Sequence, residues 1–304
     1  MAKRRAVMAA LGVVAALWLP AGAAATTCPD SLTEKIPIRA DGAASGSAFV
    51  ERMAGLSEAE RETAVAAELL AGNLPRFLRR LQPVTLSGRL ADGQKVEITI
   101  CVTPDYLALG SDQDFLRTPM GLPTALAVAE RFGFLLPTPL MVDAIYAQAE
   151  VRLRPQPLPP TEDMRSTAYF WHHQGRIREQ WLARGTHLGA LIAGQKKDLV
   201  LTNRLRHKPD RVAIYGWHTG EGQPIQPLST VHGARYADYS HGVRLVSAIA
   251  FVGGKPRPLL DILEDGRLAP VVNDEGPIAR LAALVGELAG RRVVAGAAGC
   301  TAVC

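Results

Sequence analysis

Three catalytic signatures are missing from this sequence, and each absence closes a route. There is no His-Glu-x-x-His, so the helix that presents two imidazoles and a glutamate to zinc is not encoded. There is no Gly-x-Ser-x-Gly, so the strand–turn–helix elbow of the serine hydrolases is missing. No Cys-x-x-Cys occurs, which removes a thioredoxin-like redox pair, and the cysteine spacing fits no zinc finger. Internal repeats are absent, and no apolar run beyond residue 25 is long enough to cross a bilayer.

Cysteine is scarce but even in number: Cys28, Cys101, Cys300 and Cys304. In an oxidising compartment that count favours disulfides. Of the three pairings, Cys28–Cys101 with Cys300–Cys304 is the expected one, because "CTAVC" brings the last two close along the chain. The compartment follows from the first 25 residues. Lys3, Arg4 and Arg5 precede the apolar "AVMAALGVVAALWLPAG", and Ala23, Ala24 and Ala25 supply small residues for cleavage, which together read as a secretory signal. No lipobox precedes Cys28. The expectation is a periplasmic or secreted protein with no membrane attachment after cleavage. Loss of three cations lowers the formal charge from +5 to about +2, which argues against a nucleic-acid partner and is compatible with an anionic envelope polymer. Hydrophobic content of 48% supports a packed core instead of disorder.

The pattern along the chain predicts an α+β fold: N-terminal helices with a small antiparallel sheet, then a β-rich second half with flanking helices. Ser57 followed by Glu60 is a capping box opening "SEAERETAVAAELLAG", which Gly72 and Asn73 end. "PVTLSGRL" and "KVEITICV" alternate around "ADGQ" as a β-hairpin, and "DYLALGS" reads as a third strand. "PTALAVAERFG" and "PLMVDAIYAQA" have helical spacing. Four prolines in 152–160 exclude a helix or central strand and mark either a linker or an extended wrap. The division is therefore a signal (1–25), an α+β region (26–151), a proline-rich link (152–160) and a β-rich region (161–304). In the last, "FWHHQGRIREQWLA" reads as a helix. "DLVLT", "RVAIYGWH" and "VRLVSAIAF" read as strands, "GGKP" as a hairpin turn, and "PLLDILED" and "PIARLAALVGELAG" as helices.

Chemistry-bearing residues crowd into Tyr215–Val246. His218, His232, Asp238 and His241 form a zinc-compatible donor set, with water as a fourth ligand that the metal would acidify. A second reading makes Ser240 a nucleophile with His218 or His232 as base, since His241 is its chain neighbour and points to the opposite face of a strand. A third takes paired carboxylates hydrolysing a glycan, with Asp198, Asp238, Asp261, Glu264 and Asp265 as candidates and Tyr215, Trp217, Tyr236 and Tyr239 as stacking surfaces. Arg244 would hold a substrate carboxylate, or be a buried strand arginine paired with Asp238. His172 and His173 read as surface or capping residues, and Lys196 and Lys197 as an anion contact or a solvated turn.

The run Ser240-His241-Gly242-Val243-Arg244-Leu245, preceded by "YGWH" and "VHG", resembles the L,D-transpeptidases that crosslink peptidoglycan. That family carries a His-Gly and then Ser-His-Gly-Cys-x-Arg-Leu. The match covers about 30 of 304 residues, and the cysteine expected after Gly242 is absent. The resemblance implies a β-rich peptidoglycan-related site, with His218 or His232 as base and Arg244 supporting the site. Without the thiolate, the family's acyl-enzyme route is closed. The sequence thus points to an exported hydrolase of an envelope or extracellular polymer, peptidoglycan or another glycan, working by general-base catalysis with or without zinc. The catalytic candidates are His218, His232, Asp238, Ser240 and His241; the substrate-binding candidates are Tyr215, Trp217 and Arg244. The alternative is an exported polymer-binding protein that keeps the scaffold and lacks the reaction.

Overall fold

The structure is a computed structural model that describes residues 27–220 and 222–290. The secretory signal and the Cys300–Cys304 pair lie outside the described residues. Helices and antiparallel sheet are both present and the fold is α+β, with the helices spread along the whole chain.

Local signals set much of it. Helix Glu58–Leu70 opens on the capping box, with the Ser57 hydroxyl accepting from Glu60 N–H and the Glu60 carboxylate accepting from Ser57 N–H. Gly72, at φ 83°, ends it where a side chain would strike the Pro37 carbonyl. Strands Gln82–Arg89 and Lys95–Val102 pair antiparallel from Gln82↔Val102 to Arg89↔Lys95, as the alternation predicts. Helices Leu122–Phe132, Pro139–Gln148, Thr167–Ala183, Leu259–Glu264 and Leu281–Leu288 stand where their periodicity puts them. The "GGKP" turn joins Ile249–Val252 to Lys255–Pro258.

Two segments differ from expectation. Ala108–Gly110 does not extend the first hairpin; it forms a separate ribbon with Phe115–Arg117. "VRLVSAIAF" is two strands, Val246–Ser247 and Ile249–Val252, each pairing with Lys95–Val102. Those pairings put chain from both sides of 152–160 into one six-stranded sheet. The proline-rich stretch wraps the surface: Val151–Arg152 pairs with Ile192–Ala193, and the buried Leu158 exchanges hydrogen bonds with the Tyr239 hydroxyl. One large apolar cluster, including Leu69, Ile98, Ile100, Phe132, Leu201, Val246 and Ile262, fills the interior between sheet and helices.

Cys28 is bonded to Cys101, as expected, with a Cα–Cα distance of 5.7 Å and a sequence separation of 73. The bridge pins the first described residues to a central strand, and it is a bond that persists in oxidising compartments. Among the described residues no helix is long and apolar enough to cross a membrane. Closing so long a loop restricts the unfolded chain, so reduction is expected to lower stability by about 4 kcal/mol. Urea unfolding with and without reductant measures this; coincident midpoints would show that the bridge contributes nothing.

Candidate functional site

The site is built on a four-stranded sheet in the order Pro224–Ser229, Ile214–His218, Lys197–Leu199, His241–Gly242. The central strand pairs antiparallel with one neighbour (Lys197↔Gly216) and parallel with the other (Lys197↔His241). Alternation along a strand sends Lys197 to one face and Lys196 and Asp198 to the other. Gly242 explains itself by packing: a Cβ there would lie 2.6 Å from the Tyr106 ring and 2.8 Å from Lys196 Cβ.

The turn that delivers His241 is made by Asp238. Its carboxylate accepts from Ser240 N–H at 2.8 Å and from the Ser240 hydroxyl at 2.6 Å, an Asx-type turn. Lys196 Nζ holds the turn from below by donating to the Tyr239 carbonyl at 2.5 Å. On the Lys197 face, the Tyr236 hydroxyl donates to Asp238 Oδ2 at 3.2 Å, and the His232 ring stacks on Tyr236 with centroids 4.0 Å apart. His241 lies behind them, 5.6 Å from Tyr236 and 6.2 Å from His232 between ring centroids. Its Nε2 is 3.9 Å from Asp238 Oδ2, too far for a hydrogen bond, and neither ring nitrogen has a partner among the described residues. Lys197 Nζ sits 4.7 Å above the centre of the Trp217 ring, a cation–π contact.

Trp217 carries an unusual backbone. At φ 57° it is a bulky residue in the left-handed region, following Gly216 at φ 107°. Such a conformation costs about 1–3 kcal/mol and persists where surroundings enforce it, commonly at functional sites. Here the Trp217 N–H donates to the Lys196 carbonyl, and the kink turns the indole under Lys197.

Protonation states follow from burial. It pushes His241 down to about 4, outweighing Asp238, so the imidazole is neutral. Burial also lowers His232, with Asp238 pulling the other way; this ring is half-buried, neutral near pH 7, and has no hydrogen-bond partner among the described residues. Burial and then the Asp238 charge push Tyr236 up to about 12, so it remains a donor. For Asp238, burial alone would raise the carboxyl; the neighbouring His241, the hydrogen bonds from Ser240 and the Lys197 charge together outweigh it and lower the group. Lys197 is itself lowered by burial.

The opposite face is sealed. Tyr106 donates to Asp198 Oδ2 at 2.8 Å, while Oδ1 has no partner, and burial raises this carboxyl to about 6 in spite of Arg244. Arg244 is fully buried. It donates to the Thr103 carbonyl at 2.7 Å and the Ile192 carbonyl at 2.5 Å and lies over the Tyr106 ring, so it meets neither substrate nor Asp238. Deeper still, Lys196, lowered to about 7 by burial, lies 3.2 Å from Nδ1 of the buried His173. The Arg117–Asp105 pair beside them is closed at 2.5 Å and braced by Gln195 and Gln174.

The structure therefore gathers His232, Tyr236, Asp238, Ser240 and His241 into one cluster with Lys197 and Trp217, and leaves His218 and Tyr215 in another. His218 Nε2 lies 2.8 Å from Asp143 Oδ1, the Tyr215 hydroxyl donates to the same carboxylate, and Tyr146 stacks on the His218 ring. The four zinc candidates do not converge, and among the described residues no three His, Cys, Asp or Glu side chains group in a way that could hold a metal ion. Ser240 is buried, and its hydroxyl is spent on Asp238 with no imidazole on it. Of the remaining acids, Glu264 accepts from Leu281 N–H and Asp265 pairs with Arg257. Asp143, Asp105 and Arg117 were invisible as site residues in the sequence. Asp143's only signal is that it stands as the single charge on the apolar helix Pro139–Gln148.

Clefts flank the residues that carry the cluster. One of about 490 Å³ is lined by Lys208, Arg211, Thr230 and Val231. Another of about 180 Å³ is lined by Glu58, Arg61, Arg235 and Ala237. In the sequence His232 follows Val231 of the first lining and Tyr236 stands between Arg235 and Ala237 of the second, and the Arg165 guanidinium sits 5.5 Å from the Tyr236 ring centre. No protein-family model matches the chain, and no curated protein or solved structure matches it either.

Proposed function

We propose that this chain is an exported hydrolase of an envelope or extracellular polymer, and that His232 activates the water. The observation that carries the reading is His232 itself: a half-buried imidazole, neutral near pH 7, stacked on Tyr236 and with no hydrogen-bond partner on its nitrogens among the described residues. A neutral imidazole at working pH is the state a general base needs. His232 takes a proton from water, and the oxygen attacks the scissile carbonyl carbon. The Lys197 ammonium stabilises the oxyanion, and the protonated His232 then gives its proton to the leaving group. Asp238 does not touch the reacting atoms; it fixes Tyr236 under the base and raises the local negative potential. Peptidoglycan is the preferred substrate class on the strength of the L,D-transpeptidase resemblance. The Ser240 hydroxyl is held by Asp238 with no imidazole on it, which favours direct attack by water over an acyl-enzyme at that serine.

A second reading has its own support. Val243, which is buried, follows Gly242 where the transpeptidases have their cysteine, and Arg244 is sealed inside. A scaffold altered in this way would bind polymer and release nothing. Purified protein incubated with sacculi, followed by mass spectrometry of the soluble fraction, separates the two. Released muropeptide fragments are expected; stable co-sedimentation without release would establish the binding protein instead.

A further inference from the structure

The segment Arg204-Leu205-Arg206-His207-Lys208-Pro209-Asp210-Arg211 carries four full cations, one histidine and a single carboxylate. Only Leu205 is buried; the charged side chains are all exposed. They are nevertheless held in order. Arg204 donates to the Leu228 carbonyl at 3.0 Å, Lys208 to the Thr230 hydroxyl at 3.1 Å, and Arg211 to the Val231 carbonyl at 2.7 Å. These acceptors climb the chain toward His232. The same segment grips the His232 loop through backbone bonds, Val212 N–H to the His232 carbonyl and Ala234 N–H to the Asp210 carbonyl.

The acceptors are neutral, so they orient the cations without cancelling them. Only Arg204 has a carboxylate within ion-pair distance, Glu275 at 3.5 Å; Arg206, Lys208 and Arg211 have none among the described residues. Holding long side chains in place before a ligand arrives removes part of the ordering cost of binding. The cleft of about 490 Å³ is lined by Lys208, Arg211, Thr230 and Val231 with His207 and the one carboxylate, Asp210, so its two full cations outnumber its acid. No Phe, Tyr or Trp occurs in the segment, so it lacks the large rings on which neutral sugars usually stack.

We infer that the Arg204–Arg211 face is a docking track for an anionic glycan polymer, carboxylate- or phosphate-bearing, that leads the chain to His232. The inference rests on the proposed hydrolase reading and adds a substrate charge to it. It is tested on the full chain carrying His232→Ala, which lacks the proposed base, so that retention reads binding alone. Affinity electrophoresis through polygalacturonate, wall teichoic acid and dextran is the measurement. Retention by either anionic polymer and none by dextran is expected, and the arm that retains names the anion. Lys208→Glu with Arg211→Glu should weaken retention at least about tenfold at low salt, and raising salt from about 50 to about 300 mM should do the same to the parent and less to the variant. Lys208→Gln with Arg211→Gln, which keeps hydrogen-bonding groups, should reproduce the loss. Full retention by both double variants, equal retention by dextran, or tighter binding of duplex DNA than of either glycan would overturn the track. The two readings separate cleanly. Salt-dependent retention with no muropeptide release from sacculi by the wild-type chain ends the hydrolase and leaves the track, whereas release from sacculi with no charge-dependent retention ends the track alone.

Discussion

His232→Ala is expected to reduce polymer turnover by about 10²–10⁴-fold, the contribution of a positioned general base. His232→Gln should do the same, because an amide can fill the stacking position on Tyr236 and cannot take a proton. The pH profile adds a test that loss of folding would not mimic. Burial lowers the His232 pKa below its ordinary value, so the base stays deprotonated into mild acid and the acid limb of the rate lies below pH 6.5. Asp238 opposes that shift. Asp238→Asn removes the opposing charge and should move the limb further to acid. A limb that stays in place in Asp238→Asn, or turnover undiminished in His232→Ala, would remove His232 from the mechanism. Tyr236→Phe separates stacking from hydrogen bonding: the ring remains and the donor to Asp238 is lost.

The parts of the fold that were legible in the sequence are the parts whose causes are local. Ser57 and Glu60 specify a helix start from three residues apart, and the "ADGQ" and "GGKP" turns fix their hairpins by turn chemistry. The sharing of one sheet by Lys95–Val102 and Ile249–Val252 has no such local cause. It is a pairing across some 150 residues, selected by which apolar faces cover one another. The site divides along the same line. His232, Tyr236, Asp238 and His241 meet because they occupy one loop and the short strand that follows. His218 stands equally near in the sequence, but strand Ile214–His218 points it at Asp143 on a helix 75 residues upstream. Ser240 illustrates a competing local rule. A serine beside a histidine invites a catalytic reading, yet a carboxylate two residues earlier captures both its N–H and its hydroxyl in a turn. Arg244 was taken inward by carbonyls of Thr103 and Ile192, partners no periodicity could indicate.

Beneath the site, Asp105 is expected to be the most costly single side chain to remove. Its carboxylate receives Arg117 through Nε and Nη2, at 3.0 and 2.5 Å to Oδ2, and Gln195 Nε2 at 3.0 Å to Oδ1. Both charged partners are almost wholly buried, with side-chain exposures of 2% and 1%. Asp105→Ala would leave a guanidinium that cannot lose its proton in a dry interior, and removing one member of a buried pair typically costs about 3–5 kcal/mol. In a chain of this size that corresponds to a fall in Tm on the order of 10 °C. The pair itself is a poor guide to net stability, because burying both charges cost most of what their attraction returned. Replacing both partners, as in Asp105→Leu with Arg117→Met, should therefore recover much of the loss. Gln195 immediately precedes Lys196 and Lys197, so the same network sets the strand that carries the Lys197 ammonium to the site. Asp105→Ala should accordingly lower turnover even at temperatures where the variant remains folded, while the double variant should regain melting temperature more completely than activity. Calorimetry and sacculus turnover on the three proteins measure the two quantities separately. An unchanged Tm in Asp105→Ala would mean that Arg117 finds another partner and that the floor of the site does not depend on this carboxylate.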